Sequence, residues 1–125
     1  MSVSNPYTSK AMEAIITVSG ETLFVGADGV TSPSTAGALP IDDLQIRECL
    51  RWFERAEKTE EATVNSFWLK HFVQHWSGTP VSHGAVIVAA YRSGFPIARS
   101  ADNASPNVTI GVAQHCIDEY DCGCG

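Results

Sequence analysis

Apolar positions fall first in short β-type runs, then at helical spacing, then in short runs again, and that succession predicts an α+β chain. Ala14 to Val18 and Thr22 to Val25 are rich in β-branched residues, with a Ser19-Gly20-Glu21 turn between them, so they read as a hairpin. From Ile41 to Lys58, the residues Ile46, Cys49, Leu50, Phe53 and Ala56 recur on one helix face, and Asp42, Asp43 and Lys58 suit the helix dipole at the two ends. Cys49 lies on this face as a small buried hydrophobe. Thr59 caps a second helix with Glu60 and Glu61 in its first turn, and Gly78 ends it. Val64, Phe67, Trp68, Leu69, Phe72, Val73 and Trp76 cover more than half its circumference. Such a helix is central, or it leaves an aromatic face for an interface.

Thr79-Pro80 opens a third helix through Tyr91, stopped by Gly94 and Pro96. Its Val86-Ile87-Val88 run also suits a buried strand, but capping and length favour the helix. Ile97 to Ser100 and the alternating Val108, Ile110 and Val112 flank a turn at Asp102 to Asn107 as a second hairpin. The expected architecture is a three-helix layer packed against one small antiparallel sheet, in the order β-β-α-α-α-β-β. It occupies residues 14–115 as a single α+β domain, after a flexible lead over 1–13 and before an acidic, Cys-rich tail over 116–125. A chain of 125 residues supports one such core without help from a metal or disulfide.

Charge narrows the function. The net charge of -6 opposes the broad positive potential that attracts a phosphate backbone, so direct nucleic-acid binding is disfavoured. Arg47, Arg51 and Arg55 repeat every four residues on one face of the first helix. With Glu48, Glu54 and Glu57 among them they form a solvated face of intrahelical pairs, or a stripe for an acidic partner. No Gly-Lys-Ser/Thr loop and no Gly-x-Gly-x-x-Gly fingerprint is present, which argues against nucleotide binding by either device. No apolar run approaches the roughly 20 residues of a membrane span, and no charged leader precedes an apolar block; the expected setting is the cytoplasm, away from membranes.

Candidate chemistry is sparse. His71 and His75 share a face of the second helix at metal-ligand spacing, but Phe72-Val73-Gln74 between them lacks the glutamate of a His-Glu-x-x-His hydrolase. The pair therefore reads as hydrogen-bonding or interface histidines, with metal binding as the alternative. His115, Cys116, Cys122 and Cys124 are a candidate zinc set or a group of redox-reactive thiols; the single residue between the last two cysteines is tighter than usual. Ser82 and His83 are adjacent and so do not face each other on a helix, and no glycine-framed nucleophile elbow exists; no catalytic residue is assigned and the chain is expected not to be an enzyme. The second and third helices around Ser77-Gly78-Thr79-Pro80 match a helix-turn-helix in outline, yet the third offers few polar side chains to a groove.

The run Asn65 to Val73 with Trp76, then Val81 to Ile87, Gly94-Phe95 and Pro106-Asn107-Val108, resembles a group of small uncharacterised proteins encoded by phages, prophages and plasmids. The resemblance covers residues 63–110 and carries no catalytic residues with it. It implies a mobile-element protein acting in a bacterial cell by stoichiometric binding to a host or phage protein, with anti-CRISPR or anti-restriction activity as the expected form. Lys70, His71 and His75, with Arg47, Arg51 and Arg55, are the candidate protein-binding residues, and homodimerisation through the aromatic helix is the simpler alternative.

Overall fold

The structure, a computed structural model, describes residues 14–31, 41–99 and 105–118. Strands β1 (Ala14–Val18) and β2 (Glu21–Gly26) pair antiparallel with Val18 opposite Glu21, leaving Ser19-Gly20 as a two-residue turn. Both turn residues have positive φ, the primed geometry that matches strand twist. Strand β3 (Gly29–Thr31) adds to β2 after a second tight turn at Ala27-Asp28. Ile16, Val18, Leu23 and Val25 face inward and are buried, while Ile15 points to solvent.

Helix α1 (Asp43–Arg55) starts at Asp42, whose carboxylate accepts the Leu44 N–H at 2.8 Å, and buries Ile46, Cys49, Trp52 and Phe53. It ends three residues earlier than its apolar spacing predicts because the backbone turns extended at Ala56 to meet a second sheet. Ala113 N–H donates to Glu57 O, Lys58 bridges Val112, and Thr59 N–H donates to Gly111 O. Thr59 is thus engaged in pairing and caps no helix; strand β4 (Val64–Asn65) follows it, and helix α2 (Ser66–Ser77) begins only where Asn65 accepts the Phe67 N–H at 2.8 Å. Gly78, in the left-handed region at φ 72°, closes α2.

Helix α3 (His83–Arg92) is capped by Ser82, which accepts the Ala85 N–H at 3.1 Å, and not by Thr79. The linker's own donors are satisfied elsewhere: Val81 N–H by Gln74 Oε1 and Ser82 N–H by Gln45 Oε1. After β5 (Ile97–Arg99) and β6 (Val108–Ile110), helix α4 (Gln114–Asp118) completes the described chain.

The chain is α+β with small antiparallel sheets, but among the described residues the single sheet and the β-β-α-α-α-β-β order are replaced by two three-stranded sheets, β1-β2-β3 and β4-β6-β5. The strands missing from the sequence reading are two or three residues long, too short for period-two alternation to register. The centre also moves: α3, not α2, is the core helix. Every residue from His83 to Ala90 is buried, and α3 packs against α1, α2 and all three strands of the first sheet. Gly84 permits this, since a Cβ there would run into the Gly26 backbone, and Gly84 N–H donates to Ala27 O at 3.1 Å.

Cys49 is fully buried, and burial, aided by the Glu48 charge, pushes its thiol up to about 12. Iodoacetamide at pH 8 is expected to leave Cys49 intact in the native protein and to alkylate it in denaturant, as read by peptide mass mapping. Labelling at the native rate of an exposed thiol would contradict the packing of α1.

Candidate functional site

His83 ties three segments together. Its Nδ1 lies 3.2 Å from the Asp28 carbonyl oxygen in the β2–β3 turn, and its Nε2 lies 2.6 Å from Ser66 Oγ at the start of α2. Ser66 Oγ also accepts the Val108 N–H of β6 at 3.0 Å. A carbonyl can only accept, so Nδ1 carries the proton; in the neutral ring Nε2 then accepts the Ser66 hydroxyl proton, which satisfies every group. Burial lowers the pKa of His83 and the Lys70 charge works in the same direction, while the Asp28 hydrogen bond and charge oppose.

A hydroxyl donating to a histidine whose other nitrogen donates to a carbonyl is also the arrangement of an activated serine. Here the Ser66 side chain is sealed at 0% exposure and takes a third contact from Val108, so the trio works as a clasp between the sheets and α2. Ser66→Ala strands a buried N–H and imidazole nitrogen and is expected to cost about 2–3 kcal/mol. A lowered histidine pKa also fixes the pH response: the unfolded chain takes up the proton first, so stability is whole above about 6.5 and is lost as pH falls from there through the lower folded value. Urea unfolding between pH 8 and 5 should show that fall, and His83→Gln should flatten it; equal slopes would contradict the neutral clasp.

Above the clasp, Ala27, Asp28, Phe67, Lys70, Ser82, His83, Pro106 and Asn107 line an open cleft of about 570 Å³. Phe67 is shared between this cleft and the outer face of α2. That face carries Phe67 and Trp68, 46% and 64% exposed, with His71 edge-on to both rings at 5.0 and 6.4 Å and Lys70 Nζ 5.7 Å from the Phe67 centroid. His75 is exposed one turn on, and His71 and His75 share a shallow depression with Gln74, Gly78, Thr79 and Pro80. No acidic residue occurs on α2.

The arginine stripe is placed differently. Arg47 pairs with Asp43 at 3.6 Å and Arg51 with Glu48 at 3.2 Å. The Arg51 and Arg55 guanidinium groups lie over Trp76 at 5.7 and 5.6 Å, along the seam between α1 and α2. The structure thus brings Lys70, His71 and His75 onto one helix and sets the arginines beside it, engaged with aromatic and acidic neighbours.

At α4, Cys116 Sγ lies 3.7 Å from His115 Nε2 and accepts the Glu57 N–H at 3.4 Å, while Glu57 Oε1 lies 3.3 Å from His115 Nε2. Cys122 and Cys124 fall outside the described residues. Among the described residues no group of three or more His, Cys, Asp or Glu side chains is gathered to hold a metal ion. No helix among them is long and apolar enough to cross a membrane.

The sequence reading missed the pairing of Ser66 with His83. Seventeen residues separate them and no motif spans that gap; a histidine inside an otherwise apolar helix was the one available signal. Set against known proteins, the chain matches no protein-family model, no curated protein and no solved structure.

Proposed function

We propose that the protein is a non-enzymatic binding module whose contact face is the outer side of α2. One observation carries this reading: Phe67 and Trp68 stand exposed side by side, framed by Lys70, His71 and His75 on a helix with no acid. Tryptophan is one of the residue types enriched among the energetic anchors of protein interfaces, and exposed apolar patches mark contact surfaces. The cleft beside Phe67 supplies a recess for a partner side chain, and Lys70 at its wall favours an acidic one.

The finer form of the proposal is a mobile-element regulator that binds one bacterial protein stoichiometrically, including inhibition of a defence nuclease. It is supported by the resemblance over residues 63–110, and the acid-free α2 face fits an acidic patch on such a protein. The burial of α3 from His83 to Ala90 favours protein binding over a helix-turn-helix reading, since the helix that would enter a groove has its side chains in the core.

The test is a comparative capture from bacterial extract with the tagged full chain, its Trp68→Ala variant and its Arg47→Ala variant. The proposal expects one protein near equimolar amount on the native chain and on Arg47→Ala, and its loss on Trp68→Ala. Equal recovery on all three would remove α2 as the contact face. Light scattering of the purified chain separates the dimer alternative: a stable dimer dispersed by Trp68→Ala would make a second copy the partner.

A further inference from the structure

We propose that His71 and His75 form a two-histidine site for a divalent ion of the copper, nickel and zinc group. α2 is a regular helix through Ser77, so side chains four apart stand on one face with Cβ atoms about 5–6 Å apart. Two imidazoles at that spacing can reach adjacent positions around one ion, at nitrogen to metal distances of roughly 2.0–2.1 Å for zinc. Both side chains are exposed and line the same depression, so the ion approaches from solvent without opening the core. The other lining residues are Gln74, Gly78, Thr79 and Pro80, none acidic, and two imidazoles without a carboxylate select borderline transition ions over calcium or magnesium. The pair leaves the remaining coordination positions to water. This site is separate from the His115, Cys116, Cys122 and Cys124 set and needs no partner protein.

The geometry also provides a readout. The Trp68 ring lies 6.4 Å from the His71 ring, so a nickel ion on the pair sits close enough to quench indole emission. The experiment titrates the purified full chain with nickel chloride, following tryptophan fluorescence and thermal midpoint. The expected result is saturable quenching with a raised midpoint. His75→Ala should weaken both by roughly tenfold or more, since removing a direct ligand costs no less than removing the groups that merely orient one. His115→Ala should leave the quenching unchanged, and Trp68→Phe should lose most of the quenching while keeping the rise in midpoint. Quenching that survives His75→Ala, or that disappears with His115→Ala, would overturn the proposal, as would the absence of any response at millimolar nickel. Because no partner is present, failure here leaves the docking role of Trp68 standing, and loss of docking leaves the metal site standing.

Discussion

Gly84→Ala is expected to unfold or severely destabilise the protein, although alanine inside a helix ordinarily gains about 1 kcal/mol over glycine. The reason is positional. Gly84 sits in the first turn of α3, where a Cβ would overlap the carbonyl oxygen and carbon of Gly26 and crowd Ile41. The obstacle is mostly backbone, so no side-chain rotation relieves it. α3 would have to leave the β2–β3 turn, breaking the Gly84 N–H to Ala27 O bond and the His83 contact with Asp28 that depend on that approach. A loss above about 4 kcal/mol follows, the range of severe core overpacking combined with lost buried hydrogen bonds, and the thermal midpoint should fall by roughly 15 °C or more. Gly20→Ala is the control: nothing lies within 4 Å of its Cβ position, and only its φ of +81° opposes substitution, at about 1 kcal/mol. A Gly84→Ala protein as stable as the native one would mean that α3 does not seat on the first sheet as described.

The second large effect is on binding. Trp68→Ala is expected to weaken partner affinity by about 30-fold or more, corresponding to the 2 kcal/mol or greater of an interface anchor. Its own stability should change by less than about 1 kcal/mol, because the ring is 64% exposed. The separation of the two effects is the point: a residue that matters to binding and not to folding belongs to a contact face. Calorimetry with the captured partner gives the first number and urea unfolding the second. Phe67→Ala is a poorer probe, since the Phe67 ring lies 5.8 Å from the His83 ring and its removal also loosens the wall of the cleft.

Much of this architecture was legible in residue order, for reasons that also explain where legibility stopped. The β1–β2 hairpin was readable because Ala14 to Val18 and Thr22 to Val25 are rich in β-branched residues around the Ser19-Gly20-Glu21 turn, and α1 because its apolar stripe is regular. Its end was misplaced because Ala56 to Lys58 carry helix-compatible side chains while the backbone of Glu57 to Thr59 pairs with Gly111 to Ala113, just after β6. Sequence periodicity reports side chains and is silent about which distant carbonyl receives an N–H. The same limit hid β4, whose two residues owe their extended form to β6 far along the chain, while β3 pairs locally with β2 and is too short for alternation to register.

The exchange of roles between α2 and α3 has a different cause. Bulk made α2 look central, with the aromatic rings of Phe67, Trp68 and Phe72 among its first seven residues. Size does not decide burial, however: α3 wins the centre because Gly84, Ala85, Ala89 and Ala90 let three neighbours approach closely, and the larger Phe67 and Trp68 are left outside. The clasp of Ser66, His83, Asp28 and Val108 was invisible for the related reason that each member sits in a different element. The histidine pair was legible as a pair, and the structure adds that both members face solvent.

If a partner sits on the outer face of α2, site-specific photo-crosslinking in living bacteria should capture it there. A photoreactive residue replaces His75, which shares the face and leaves Phe67 and Trp68 in place, and in a second protein it replaces the exposed Glu54 of α1. One discrete adduct is expected from position 75, abolished by adding Trp68→Ala, and none from position 54. Adducts from position 54 alone, or adducts at position 75 that persist without Trp68, would contradict that placement.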